Sequence, residues 1–435
     1  NVVGACFSAA GERRYAKKNC ILADPSHGYL GWGNGLNECY ASANLEAQRL
    51  RMATTSTPTK NATDFDSIRP YRDHEVPEVL ARISRSPQLA VAAKQLVLPN
   101  FLSQRFFAPW LTKLVLQFSL RNLQSVDDVQ RLVSKYSEQL VASSADSLTV
   151  SGLEHLDPTR QYLFISNHRD IVMDSSLINL LLLRAGNETC RMAVGDNLLH
   201  NPLVADLMRL NKSFVVERDL ASAREGYRAM TRTSHYIRHS LKEHVSVWIA
   251  QRQGRAKDGF DRTDPALLKM LLLAYRKQAR PIARLVGNGA LVPVSLSYEI
   301  DPCGPAKARE RAAIDRDGYY AKDEQEDLHS MILGLVGDKG RVHVHFSAPI
   351  VDDCESVHEL AERLDRAIVA GVRVFSTNRY ADSVLAGQVQ DHAVGSKAMN
   401  ILQSQLLSCS EPERLCLLQQ YANICANRRE LDVDH

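Results

Sequence analysis

A chain of 435 residues, 45% apolar and 24% charged, is long enough to bury one large core or two to three smaller ones, and it does not read as a disulfide-stapled miniprotein. A formal charge of +3 is too small for bulk nucleic-acid binding, so no nucleic-acid partner is expected. Nine cysteines without a C-x-x-C, and without a Cys/His cluster at zinc spacing, predict reduced thiols in a cytosolic setting and no metal site.

In chain order, residues 1–66 read as a flexible or non-native leader. They lack a sustained period, and Met52 opens a polar Ala-Thr-Thr-Ser-Thr-Pro-Thr stretch that suits a natural start. Residues 67–147 read as a helical N-terminal domain, with Val76, Val79, Leu80 and Ile83, and later Leu132, Val133, Tyr136 and Leu140, at helix spacing. Between these, Phe101 to Leu120 mixes aromatics and leucines with Arg105 and Lys113. Burial between helices is the expectation there, and a membrane interface is the alternative.

Residues 148–376 change to short β-rich runs alternating with helices, which predicts an α/β domain with a mostly parallel central sheet. The predicted strands are Tyr162 to Ser166, Ser213 to Val216, Val245 to Ala250, Leu291 to Tyr298 and Arg341 to Phe346. The predicted helices are Ser175 to Arg184, Ser222 to Lys242 and Pro265 to Gln278, the last opened by Asp264 and closed by Pro281. His343 and His345 alternate with Val342, Val344 and Phe346, the pattern of a half-buried strand with its histidines outward. Residues 377–435 read as a helical tail, with a capping-box signature at Ser410 and Glu413. The longest apolar runs fall far short of the roughly 18 to 20 residues of a spanning helix.

Charge is uneven: Arg209 to Arg280 holds sixteen Lys and Arg against seven Asp and Glu, which suits a phosphate-bearing partner. The most informative segment is Phe164-Ile165-Ser166-Asn167-His168-Arg169-Asp170-Ile171-Val172-Met173-Asp174, an apolar strand that delivers a His and two Asp to its end. Such a His can take a proton from a hydroxyl near neutral pH, while an Asp on its other ring nitrogen fixes the tautomer. A protein-kinase catalytic loop is excluded, because Ser175 stands where that pattern needs Asn and neither a G-x-G-x-x-G nor a D-F-G is present. Helix geometry favours Asp174 as the partner of His168 and leaves Asp170 to cap the following helix.

The segment resembles the N-H-x-x-x-x-D motif of the glycerolipid O-acyltransferase family, which acts on glycerol-3-phosphate or 1-acylglycerol-3-phosphate. Three more segments follow in the family's order: Ser213 to Arg218, Val247 to Arg255, and Leu291-Val292-Pro293-Val294-Ser295. The resemblance covers residues 148 to 350. It is closest to a long bacterial branch whose third motif reads A-Q-R-E-G-R-A-K-D-G, matched from Ala250 to Gly259 with Gln253 in place of Glu. A second departure is that His168 and Asp174 enclose five residues where the family has four.

The resemblance implies an O-acyltransferase that needs no cofactor. Its catalytic pair would be His168 and Asp174, and its acceptor phosphate would be held by Arg218 and Arg255, with Gln253 and Gly254 beside them. Guanidinium forks match phosphate, and backbone around a glycine can be approached closely. The donor would be acyl-CoA or acyl carrier protein, the acceptor a glycerol phosphate or lysophospholipid, and the place the cytoplasm, peripherally on the inner face of a membrane. The alternative is a catalytically idle protein that binds lipid or acyl carrier at that surface, favoured by Gln253.

Overall fold

The computed structural model describes residues 65–90, 108–218, 220–287, 290–323, 325–388 and 396–433, all within one compact unit, Asp64–His435. The leader up to residue 64 and Phe101 to Phe107 lie outside the described residues.

The described chain opens with helices α1 (Val76–Ile83), α2 (Ala108–Leu120) and α3 (Val126–Ser144). Val76, Val79, Leu80 and Ile83 form one buried face that packs with Leu116, Leu120 and Val129. The expected burial of the Trp110 segment holds for only one side of α2. Trp110, Leu114 and Phe118 recur every fourth residue on the other side and are 65%, 43% and 57% exposed.

Seven strands follow: β1 (Ser147–Ser151), β2 (Leu163–Ser166), β3 (Arg191–Gly195), β4 (Ser213–Val216), β5 (Val247–Ala250), β6 (Leu291–Tyr298) and β7 (Arg341–Phe346). They form one sheet in the order β1-β7-β6-β2-β5-β3-β4, in which only the β6–β7 pair is antiparallel. The fold is therefore α/β with a mostly parallel central sheet. β2 and β6 are covered on both faces, which is why they read as unbroken apolar runs. Pro293 is tolerated inside β6 because its carbonyl accepts from Ser347 on the β7 side, where the ladder begins only at Val294.

Between β2 and β5 lie α4 (Met173–Arg184), α5 (Pro202–Leu210) and α6 (Ala223–Lys242). Then come α7 (Pro265–Leu272) and α8 (Pro281–Val286), with α9 (Gly304–Asp317) and α10 (Glu326–Val336) between β6 and β7, and α11 (Val357–Gly371) after the sheet. Tyr236, Ile237, Leu268 and Leu364 cover one face of the sheet, while Leu177, Ile178 and Leu181 of α4 cover the other. Pro281 opens α8 rather than simply closing the helix before it, since proline's fixed φ suits a first helical position.

The tail is helical: α12 (Ser376–Leu385), α13 (Lys397–Ser408) and α14 (Glu411–Glu430) pack with α9 around Ala308, Ala381, Leu402, Leu417 and Tyr421. Glu413 accepts the Ser410 amide at 2.9 Å, one half of a capping box. On β7, Val342, Val344 and Phe346 are buried and His343 and His345 alternate with them, bonded to Thr149 and Ser151 of β1. The six described cysteines are buried. Among the described residues no helix is long and apolar enough to cross a membrane, and no group of three or more His, Cys, Asp or Glu is placed to hold a metal.

Candidate active site

Parallel pairing brings the carboxyl ends of β2, β5, β3 and β4 to one edge of the sheet, the edge where open α/β folds hold ligands. His168 stands two residues beyond the end of β2, and its Nδ1 lies 2.8 Å from Oδ2 of Asp174, in the first turn of α4. The ring meets the Trp248 indole edge-on, with centroids 5.8 Å apart. The same Oδ2 accepts the backbone amides of Arg169 at 2.6 Å and Asp170 at 3.0 Å, and Oδ1 accepts the Tyr298 hydroxyl at 2.7 Å.

Burial works against ionisation of Asp174, which is fully enclosed. The hydrogen bonds from His168, Asp170 and Tyr298 outweigh it and hold the carboxyl below the ordinary range. An ionised carboxylate makes Nδ1 the donor and leaves the lone pair on Nε2 for a substrate proton.

Asp170 is differently occupied. Its Oδ1 accepts the amides of Val172 at 2.9 Å and Met173 at 2.8 Å, at the entrance to α4. Its Oδ2 rests on Gly334 of α10, where a Cβ would stand 2.0 Å away. Burial, and then the charge of Asp174, push its carboxyl up. Asp170→Ala should therefore cost about 1 kcal/mol of stability, as lost helix caps do, with a smaller loss of turnover than replacing Asp174. Denaturant melts alongside initial rates check this, and an Asp170 variant that loses turnover without losing stability would refute it.

Long-range bonds hold the backbone of this loop. Asn167 bridges to β6 through the carbonyl and amide of Leu296 and also donates to Asp261 at 3.1 Å. Arg169 pairs with the same Asp261 oxygen at 2.5 Å. Lys307 of α9, 2% exposed, donates to the Arg169 carbonyl at 2.7 Å and pairs with Asp301. The amide of Ala256 bonds to the His168 carbonyl at 2.8 Å, so the segment from Gln251 to Ala256 lies along the histidine. Asp261, Lys307 and Tyr298 were invisible in sequence because each reaches the loop from at least 92 residues away.

The structure brings Gln253, Gly254 and Arg255 to this edge through that segment. Gln253 is exposed, and Gly254 adopts φ +75° with open space where a Cβ would point, a conformation that glycine alone takes without strain. Arg255 is half-buried, with Nη2 3.4 Å from the Ser330 hydroxyl and a buried Nη1 that has no protein partner.

Arg218 lies two residues beyond β4. Its amide bonds to Asp196 at 3.1 Å, and its guanidinium lies across Gly195, where a Cβ would come within 2.7 Å of Cζ. Gly195 is thus a further determinant of the site, missed because β3 was not predicted. Nearby, Glu217 pairs with Arg232 at 3.0 Å and Asp258 with Arg252 at 3.1 Å. Oδ1 of Asp196 and of Asn197 are buried beside Arg218 without a hydrogen-bond donor.

Residues 147–259 match the family model described as Acyltransferase, a span that contains His168, Asp174, Arg218 and the Gln253 to Arg255 segment. No curated protein matches the chain. Among solved structures, the chain is similar to the 1-acyl-sn-glycerophosphate (LPA) acyltransferase PlsC from Thermotoga maritima. That likeness has 15% identity over 65% of this chain and 92% of the other, with a TM-score of 0.36.

Proposed function

We propose that this protein is an O-acyltransferase that moves a fatty acyl group from acyl-CoA or acyl carrier protein to the hydroxyl of glycerol-3-phosphate or 1-acylglycerol-3-phosphate, in phospholipid biosynthesis. The observation that carries the reading is the His168–Asp174 pair, with Nε2 left as a base at the ligand-binding edge of an α/β sheet. Nε2 takes the proton of the acceptor hydroxyl, and the oxygen attacks the thioester carbonyl. The tetrahedral adduct collapses with cleavage of the C–S bond, and the imidazolium returns its proton to the departing thiolate. Arg218 and Arg255 hold the acceptor phosphate. Direct transfer is favoured over an acyl-enzyme because burial pushes the thiols of Cys190 and Cys303 up, to about 12 and about 11, far from the nucleophilic thiolate.

The reaction joins a polar acceptor to a membrane-seeking chain, and the outward row of Trp110, Leu114 and Phe118 supports peripheral attachment at the cytoplasmic face. Arg121 lies 4.0 Å over the Phe118 ring, placing a cation beside the apolar row where anionic headgroups would meet it.

The experiment supplies palmitoyl-CoA or palmitoyl acyl carrier protein with each acceptor, with and without anionic vesicles, and follows thiol release and lipid product. The expected result is product from the wild-type chain, none above background from His168→Ala, and sedimentation of the protein with the vesicles at low salt. Vesicle binding without thioester consumption would instead establish the idle lipid-binding alternative.

A further inference from the structure

We infer that Tyr298 is a positioning residue of the His168–Asp174 pair, setting through a single hydrogen bond how strongly the carboxylate draws on the imidazole. The inference deepens the proposed function and rests on His168 being its base. Tyr298 is the last residue of β6, and the strand's pairing with β2 carries its hydroxyl to Oδ1 of Asp174 at 2.7 Å. Asp174 is 0% exposed, so bulk solvent does not reach that oxygen.

Three donors fall on Oδ2: the His168 ring and the amides of Arg169 and Asp170. The Tyr298 hydroxyl is the donor on Oδ1, and two consequences follow. First, it fixes the rotation of the carboxylate, so that Oδ2 and not Oδ1 faces the imidazole. Second, it draws negative charge toward Oδ1, which weakens the pull of Oδ2 on the Nδ1 proton.

The surroundings keep this hydroxyl a donor. A cavity of about 40 Å³ behind it is lined by Arg169, Asp170, Asp301, Lys339 and Arg373. Lys307 pairs with Asp301, and Lys339 is 1% exposed and donates to Ser144 and to the carbonyls of Leu335 and Gly337. Burial first, and then the charges of Asp174, Asp170 and Asp301, hold the phenol well above its ordinary range, so it stays protonated at any working pH.

Two substitutions at this position have opposite predicted signs. Tyr298→Phe removes the donor, leaves Asp174 drawing more strongly on His168, and should raise the midpoint of the His168 titration. Site-specific replacement of Tyr298 by 3,5-difluorotyrosine keeps the shape, strengthens the donor, and should lower that midpoint. The readout is the imidazole carbon resonance of His168 in the full-length protein, assigned by its loss in His168→Gln and followed from pH 5 to pH 9.

The acid limb of kcat/KM should move with the midpoint in each variant, and kcat should fall about tenfold in Tyr298→Phe with little change in either KM. A midpoint unmoved in both variants, or moved the same way in both, overturns the inference even if melting temperature falls, because a merely structural tyrosine would lower stability alone. If Tyr298→Phe fails to fold, the fluorinated chain still decides the sign. Failure of the acyltransferase reading is a different result, namely no product from the wild-type chain, and it leaves the resonance measurement intact.

Discussion

Asp174→Asn should lower turnover by about two to four orders of magnitude, the range usually lost with general-base assistance, while melting temperature changes little. The bonds around Asp174 explain why the two readouts separate. An asparagine can place its one oxygen where Oδ2 stands and keep accepting the amides of Arg169 and Asp170. Its NH2 group then falls on the Tyr298 side, where the phenol oxygen can accept instead of donate.

The packing survives, but the negative charge beneath the imidazole does not. Without it, nothing stabilises the imidazolium that forms as the acceptor hydroxyl loses its proton. Steady-state rates should show the loss in kcat with both Michaelis constants nearly unchanged, because Asp174 is buried and touches neither substrate. A variant with wild-type turnover and a large drop in stability would place Asp174 with the structural residues and send the search back to Asp170.

How much of this was readable beforehand depends on the range of each interaction. The strands at Ser213, Val247, Leu291 and Arg341 were legible because each is a run of β-branched and apolar residues facing covered sheet surfaces. β1 and β3 were not. β1 (Ser-Leu-Thr-Val-Ser) lies at the sheet edge with Val150 37% exposed, and β3 (Arg-Met-Ala-Val-Gly) has only three apolar residues between a cation and a glycine. Both are strands because of the neighbours they pair with, and that information is absent from five residues.

The same division runs through the site. His168 and Asp174 are six residues apart, so helix geometry sufficed to relate them. Tyr298 lies 124 residues from Asp174, and Lys307 lies 138 from Arg169, and no local pattern distinguishes either from an ordinary strand end or surface lysine. The outward face of α2 was misjudged for a related reason. An apolar run states that a helix avoids water, and only the packing shows which side is covered by protein.

Arg218→Ala should raise the acceptor's Michaelis constant about ten- to a hundredfold and leave the thioester's nearly unchanged, the loss expected when one charge-assisted phosphate contact disappears. The guanidinium is held by shape as much as by charge. Gly195 lets it lie flat against the end of β3, and the Arg218 amide is tied to Asp196 at 3.1 Å, so it is presented at the sheet edge with little freedom left to lose on binding. Beside it, the buried oxygens Oδ1 of Asp196 and Asn197 lack donors, which a polyol hydroxyl next to the phosphate would supply. Arg218→Lys should recover only part of the loss, because an ammonium keeps the charge but not the planar fork. Gly195→Ala should mimic Arg218→Ala without touching any charge, since the new methyl would stand 2.7 Å from the guanidinium carbon and push it out of place. Equal increases in both Michaelis constants would move Arg218 from the acceptor to a role shared by both substrates, and an unchanged acceptor constant in Gly195→Ala would show that the guanidinium does not bind from this position.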